Sequence, residues 1–118
     1  MSELSLRELA EELQHFAAER DWEQFHSPKN LSMALSVEVA EIAEHFQWLT
    51  EAQSRELDVT KSDAVAAELA DALIYLVRLA DQLGVDLHQA TIMKLALNAQ
   101  KYPAEKVRGS ARKYSEYE

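Results

Sequence analysis

Apolar residues recur at every third or fourth position along most of this chain, which is the period of amphipathic helices. The first predicted helix covers about 5–20, because Ser5 and Glu8 have the spacing of a capping box. The second covers about 28–49, because Ser27 is a good N-cap and a proline follows it. The first part of the chain is therefore predicted to form two helices joined by a short connection rich in aromatic residues.

The rest of the chain is also helical in pattern, after a polar stretch that has room for one short helical turn. Gly84 marks the end of the third helix, and Asp86 is the predicted N-cap of the fourth, which stops before Pro103. The boundaries we expect are 50–62 for the polar stretch, 61–83 or 63–83 for the third helix, 86–102 for the fourth and 103–118 for an irregular basic tail. The pattern predicts an all-α, four-helix bundle formed by a single domain, 1–118.

The composition is typical of a small helical protein and disfavours some classes of partner. The chain has 118 residues, 47% of them hydrophobic, with no cysteine and only two glycines and two prolines. This length suits one core. The net charge of −9 disfavours a nucleic-acid-binding surface. Without a secretory signal or a membrane-spanning apolar run, we expect a soluble, cytoplasmic protein.

Four carboxylates lie in the two most apolar stretches of the chain, where an unpaired charge is costly. Glu38 and Glu41 are the only charged residues of one stretch, and Glu68 and Asp71 share the other with Arg78. Residues three apart lie on the same face of a helix, so each predicted helix presents a pair of carboxylates beside its apolar face. An ion-pair network with Arg78 or a solvated stripe would be the ordinary explanation. A shared divalent cation explains both pairs together.

Ligands that are all oxygen favour a hard cation, with Mg²⁺ first and Mn²⁺ or Ca²⁺ after it. Mg²⁺ commonly bridges a few protein carboxylates to the phosphates of a substrate. Five of the basic residues are concentrated near the end of the chain, where they could hold phosphates: Lys101, Lys106, Arg108, Arg112 and Lys113. The composition of the site therefore indicates phosphate-ester or phosphate-anhydride chemistry.

Aromatic residues at the predicted helix ends are the second candidate for function. They are Trp22, Phe25 and Trp48. Such side chains can sandwich a planar base, although packing in a core or a dimer interface explains them equally well. The amide of Asn98 can donate to and accept from a base edge, or make an interhelical hydrogen bond. His26 is either a structural histidine or a contact for a substrate.

Two other classes of protein have to be weighed against a phosphohydrolase. A di-iron bundle uses Glu-x-x-His pairs, and the chain has two formal matches, Glu12 with His15 and Glu23 with His26. Neither match lies on a helix that carries the carboxylate pairs, which disfavours this alternative. A non-catalytic helical interaction module would need no metal at all.

The order and spacing of the polar residues resemble the all-α nucleotide pyrophosphohydrolases of the MazG type. The matching residues are Glu38-x-x-Glu41, Glu68-x-x-Asp71 and Lys94-x-x-x-Asn98-x-x-Lys101-Tyr102-Pro103. Within that superfamily the dCTP pyrophosphatase branch is similar in the segments 16–26, 46–48, 71–77 and 112–114. One position departs from the branch, since Leu13 stands where its first helix is expected to carry a histidine.

The resemblance implies hydrolysis of a nucleoside triphosphate, dCTP or a modified dCTP first, to the monophosphate and pyrophosphate. A broader range of nucleoside triphosphates is the alternative. It implies Mg²⁺, or Mn²⁺, bound by Glu38, Glu41, Glu68 and Asp71, with Glu38 or Glu41 as our hypothesis for the general base. The substrate-binding residues it implies are Trp22, Trp48, Tyr75, Lys94, Asn98, Lys101, Arg108, Arg112 and Lys113. We add His26 as a further candidate contact for the substrate. It also implies dimers or dimers of dimers with sites at the subunit interface, and we expect a tetramer.

Overall fold

The computed structural model describes residues 3–111, and this part of the chain is helical without any strand. Its elements are α1 (Leu6–Glu19), a 3₁₀ turn (Glu23–Phe25), α2 (Pro28–Phe46), α3 (Glu51–Ser54), α4 (Val59–Gln82), α5 (Leu87–Lys101) and α6 (Ala104–Val107). The all-α prediction is confirmed, and the four long helices α1, α2, α4 and α5 are those expected from the apolar period. No helix between residues 3 and 111 is long and apolar enough to cross a bilayer.

Helix α1 begins and ends as its sequence dictates. Its capping box is formed, with the Glu8 amide donating to Ser5 Oγ at 3.1 Å and the Ser5 amide donating to Glu8 Oε1 at 3.2 Å. At the other end Asp21 has a φ of 54°, in the left-handed region. The amide of Trp22 then donates to the Ala17 carbonyl at 2.9 Å, which closes a Schellman motif. The turn brings the Trp22 ring against Phe16, with centroids 5.8 Å apart in an edge contact.

Helix α2 begins at the predicted residue and ends earlier than predicted. Ser27 Oγ accepts from the Asn30 amide at 3.1 Å, and proline occupies the first turn. The helix ends at Phe46 instead of near 49, because Thr50 is extended and caps α3 with its side chain. The short helical turn expected in the polar stretch is this α3, which has a capping box of its own formed by Thr50 and Gln53.

Helix α4 begins earlier than predicted, at Val59 instead of 61 or 63. The cause is Asp58, whose carboxylate accepts from the Lys61 amide at 2.8 Å and so caps a first turn that lacks an apolar stripe. The predicted end is confirmed, because Gly84 has a φ of 68° and the Val85 amide donates to the Ala80 carbonyl at 2.9 Å. The C-terminal end of α4 is therefore closed by a second Schellman motif.

The chain divides into one compact unit that ends at Val85 and a second that begins at Asp86. In the first unit α2 packs mainly against α4, and α1 also packs against α4. The buried apolar side chains belong to these three helices and are Ala17, Leu31, Val65, Val77 and Ala80. Because α2 and α4 form the main contact, any side chains they both direct towards their shared edge are held at a fixed separation.

The second unit contains α5 and the short α6. Asp86 caps α5 as predicted, accepting from the Gln89 amide at 3.0 Å. Helix α6 lies in the segment that was predicted to be irregular, where Pro103 precedes its first turn. A single domain and a bundle that joins α5 to the other long helices stay predictions of the sequence.

Candidate metal centre

Three carboxylates from two helices converge at the edge between α2 and α4. Glu38 and Glu41 lie one turn apart on α2, and Glu68 lies on α4. One oxygen from each of the three lies within 4.8 Å of the others, and each residue is partly buried. The convergence follows from the i, i+3 spacing on α2 and from the packing of α2 against α4. This distance suits oxygens that surround one ion.

Two oxygens of this cluster have no hydrogen-bond partner in the described part of the chain. They are Glu38 Oε2 and Glu68 Oε2, and both are buried. Buried polar atoms are nearly always paired, because leaving a carboxylate oxygen without water or a donor is costly. A cation bound by these oxygens would satisfy both.

The cluster raises the pKa values of two of its carboxyl groups above their ordinary value. The pKa of Glu38 is raised to about 7, first by desolvation and then by its hydrogen bond with Glu41 and the charge of Glu41. The pKa of Glu68 is also raised, first by a hydrogen bond with Glu41 and then by desolvation. Carboxyl groups crowded in this way ionise less readily than isolated ones, unless a positive charge lies among them. The cluster is therefore suited to a divalent cation.

Asp71, the fourth predicted ligand, lies at the rim of the cluster. It follows Glu68 by one turn on α4 and is exposed, and it does not belong to the group of converging oxygens. Its negative charge nevertheless raises the pKa of both Glu38 and Glu68. Asp71 is therefore close enough to act on the site electrostatically, and its role as a ligand stays a prediction.

The donor set fits Mg²⁺ or Mn²⁺ better than iron. Within residues 3–111, the acidic group that could hold an ion contains no histidine. Of the two Glu-x-x-His pairs, Glu12 and His15 lie on α1, and His26 follows the 3₁₀ turn. Carboxylate oxygens alone are typical ligands of hard cations.

The aromatic candidates differ in their exposure to solvent. Trp48 lies in the turn after α2 and is 87% exposed. Trp22 is 44% exposed and contacts the ring of His26, with centroids 6.3 Å apart. Phe25 is 58% exposed. Tyr75 is partly buried on α4, one turn beyond Asp71. Solvated indole rings can stack on a planar base, because the contact removes apolar surface from water.

Arg78 shares α4 with Glu68 and Asp71, but its ion pair is with Asp81. It lies on α4 and is 2% exposed, the one buried charged residue among those described. Its Nε donates to His26 Nδ1 at 3.1 Å, across 52 positions of sequence. The sequence signal was a single basic residue in an apolar helix, but its partner on a distant loop leaves no local pattern.

The basic and amide candidates of the second unit lie on and after α5. Lys94, Asn98 and Lys101 are four and three positions apart on this helix, so they share one face. Arg108 follows α6. The other two predicted phosphate contacts, Arg112 and Lys113, lie outside the described residues.

Most of the chain matches a known protein family. A profile of the MazG-like family matches residues 33–117, a range that includes all four carboxylates. The chain belongs to the MazG-like family. The family predicted from the carboxylate spacing is therefore confirmed.

Curated relatives of this MazG-like chain are similar over most of its length. It is 50% identical over 103 residues to dCTP pyrophosphatase 1 of Homo sapiens, covering 86% of this chain and 61% of the human protein. It is 45% identical over 117 residues to dCTP pyrophosphatase 1 of Bos taurus, covering 98% of this chain and 69% of that protein. The chain thus spans about three fifths of the length of the human relative.

A solved structure is also similar to this MazG-like chain. The crystal structure of a pyrophosphatase from Archaeoglobus fulgidus superposes with a TM-score of 0.78 at 36% sequence identity. The match covers 87% of this chain and 96% of that one. The helical fold therefore agrees with a solved structure over most of this chain.

Proposed function

We propose that this chain is a nucleoside triphosphate pyrophosphohydrolase that acts on dCTP or modified dCTP and cleans the nucleotide pool. The observation that carries the proposal is the convergence of Glu38, Glu41 and Glu68, with two buried oxygens that have no partner. Such a cluster suits a divalent cation that meets a polyphosphate. The names of the human and bovine relatives support dCTP as the substrate.

Glu38, Glu41 and Glu68 would hold the cation, and Asp71 at the rim would complete the set. Mg²⁺ held by these residues would supply Lewis acidity that stabilises the negative charge developing on the triphosphate oxygens. The crowding that raises the pKa of Glu38 supports this assignment, because a positive charge at that place would release the retained proton.

Hydrolysis adds one water across a phosphoanhydride bond and yields dCMP and pyrophosphate. Either Glu38 or Glu41, whichever has an oxygen not engaged with the cation, would accept the proton of the attacking water. The new bond forms between the water oxygen and phosphorus as the bond to the leaving phosphate oxygen breaks. Lys94, Lys101 and Arg108, with Arg112 and Lys113, would hold the leaving pyrophosphate through charge.

The base would be bound by the aromatic residues and the amide. Trp22 and Trp48 offer exposed indole rings for stacking, and Tyr75 and Asn98 would contact its edges. Stacking alone does not distinguish bases, so selectivity for cytosine requires hydrogen bonds to its edge.

Assembly into a dimer of dimers is part of the same proposal. Its support is the apolar surface of α2, where Met33, Val37 and Val39 are 59%, 54% and 53% exposed. An interface would bury such residues. The cytoplasmic location stays a prediction of the sequence.

Pyrophosphate release from each canonical nucleoside triphosphate, with and without Mg²⁺ or Mn²⁺, tests the reaction. We expect the fastest release from dCTP, and none without the metal. Glu41→Gln and Glu68→Gln should lower kcat/KM on the order of 10²–10⁴-fold. Glu44→Gln is the matched control, because Glu44 lies on α2 one turn from Glu41 but is exposed.

Metal-independent release, or wild-type rates in both Glu41→Gln and Glu68→Gln, would contradict the proposal. Equal rates with all nucleoside triphosphates would support the reaction and overturn the preference for dCTP. An absence of both metal binding and nucleotide binding in calorimetry would favour the interaction module instead.

A further inference from the structure

We propose that Arg78 is a positioning residue that fixes His26 in the tautomer with its hydrogen on Nε2, so that His26 acts as a hydrogen-bond donor beside Trp22. The fixed tautomer follows from contacts within the chain. The assignment of a nucleobase as the group that His26 meets rests on the proposed function.

The guanidinium of Arg78 is held on three sides. Nε donates to His26 Nδ1 at 3.1 Å, and Nη1 donates to Asp81 Oδ2 at 3.3 Å. With its side-chain oxygen facing Arg78, Gln82 accepts from Nη1 and from Nη2, each at 3.2 Å. Asp81 and Gln82 lie on the same face of α4 as Arg78, because they follow it by three and four residues. A planar, buried guanidinium with these partners has little freedom to turn.

The proton on His26 is assigned by elimination. An arginine side chain stays protonated, so its Nε–H is always a donor. His26 Nδ1 must then accept, and an imidazole nitrogen that accepts carries no hydrogen. A neutral imidazole has one N–H, which therefore lies on Nε2.

The charges around His26 favour the neutral form. The pKa of His26 is lowered, first by desolvation and then by the positive charge of Arg78 on α4. Glu23, in the preceding 3₁₀ turn, raises it to a smaller extent. Protonation of Nδ1 would also set two N–H groups against each other across the 3.1 Å contact. His26 is therefore neutral at physiological pH and keeps the same donor.

The position of this donor suggests what it meets. The His26 ring lies 6.3 Å from the Trp22 ring at 56°, and His26 is partly buried. Among residues 3–111, its Nε2 has no hydrogen-bond partner. An N–H next to an open aromatic face suits a planar ring that carries an acceptor, such as the carbonyl oxygen of a pyrimidine stacked on Trp22.

Nitrogen-15 NMR of the full chain tests the tautomer directly. The His26 signals are identified by their loss in His26→Asn. We expect wild-type His26 to carry its hydrogen on Nε2 and to stay neutral at pH 7. In Arg78→Met, the Nδ1–H form should appear and the pKa of His26 should rise towards 6.5. Arg55→Met is the control, because Arg55 is an exposed arginine in a surface ion pair.

A hydrogen on Nδ1 in the wild type, or an unchanged His26 spectrum in Arg78→Met, would overturn the inference. Arg78→Met removes a buried cation and leaves Asp81 without its ion-pair partner, although the Asp81 side chain is 34% exposed and can be hydrated. If this variant does not fold, the wild-type spectrum alone decides the tautomer, because a hydrogen on Nδ1 is incompatible with a bond donated by Arg78 Nε.

Kinetics test whether the donor matters for binding. Arg78→Met should raise KM for dCTP about three- to tenfold, the effect of one lost hydrogen bond, with a smaller change in kcat. His26→Asn should do the same, and the double variant should be no worse than either single variant. Additive effects, or lower stability with an unchanged KM, would overturn the positioning role. If the wild type hydrolyses no nucleoside triphosphate, the proposed function fails, while NMR still decides the tautomer.

Discussion

Metal binding at the carboxylate cluster should depend steeply on pH. Glu38 has a pKa of about 7 before a cation binds. It is therefore ionised in about half of the molecules at pH 7, in about a tenth at pH 6 and in about nine tenths at pH 8. Because a cation needs the ionised form, its affinity should rise about fivefold from pH 6 to pH 7 and about tenfold from pH 6 to pH 8. The raised pKa of Glu68 acts in the same direction.

Calorimetry with Mn²⁺ at pH 6, 7 and 8 measures this dependence. Repeating each titration in two buffers with different ionisation heats gives the number of protons released, which should be at least about half a proton at pH 7. Glu38→Gln should bind the metal more weakly and with a flatter pH profile, while Glu44→Gln should match the wild type. Equal affinity at pH 6 and pH 8 would refute the reasoning.

The same pKa shifts predict how the stability of the metal-free protein changes with pH. A carboxyl group whose pKa is raised by folding stabilises the fold fully only below its unfolded value of 4.5, and this contribution is lost as the pH rises towards 7. Tm without metal should therefore fall between pH 5 and pH 8, and Mn²⁺ should reverse the fall. A Tm that rises over this range in EDTA would contradict the direction of the shifts.

Three further changes test the fold and the base site. Leu31→Ala should lower the free energy of unfolding by about 2–5 kcal/mol in urea denaturation, because Leu31 is fully buried, whereas Val59→Ala, at a position that is 77% exposed, should change it little. Trp48→Ala should leave Tm unchanged but weaken dCTP binding by about 1–3 kcal/mol in calorimetry. Asp21→Gly should be neutral or slightly stabilising, and Asp21→Ala destabilising by about 1 kcal/mol, because the residue has positive φ.

The local patterns of this sequence predicted local structure well. The capping box at Ser5 and the C′ glycine at Gly84 depend on neighbours a few residues away, and both are found as predicted. The start of α4 was predicted too late because Asp58 lies in a polar stretch, where an apolar period gives no signal. Helix α2 was predicted too long because the competing cap at Thr50 lies beyond its apolar face.

Contacts between distant residues were predicted only where the chemistry required them. The convergence of Glu38 and Glu68 was inferred because two acidic pairs in apolar helices need a shared partner. The rim position of Asp71 depends on the rotation of α4 about its axis, which the i, i+3 spacing does not specify. The contact of Arg78 with His26 joins a helix to a loop, and nothing in either segment indicates it.

The two tryptophans of this chain lie in different surroundings. Trp48 is 87% exposed, so water surrounds its indole and sets its fluorescence. The Trp22 ring instead contacts the rings of Phe16 and His26. Any planar molecule that covers Trp48 will displace its water and change its fluorescence. With Trp22 replaced by phenylalanine, Trp48 becomes the sole indole emitter of the chain. The exposed ring thereby gives the molecule an intrinsic optical reporter of occupancy that needs no attached dye.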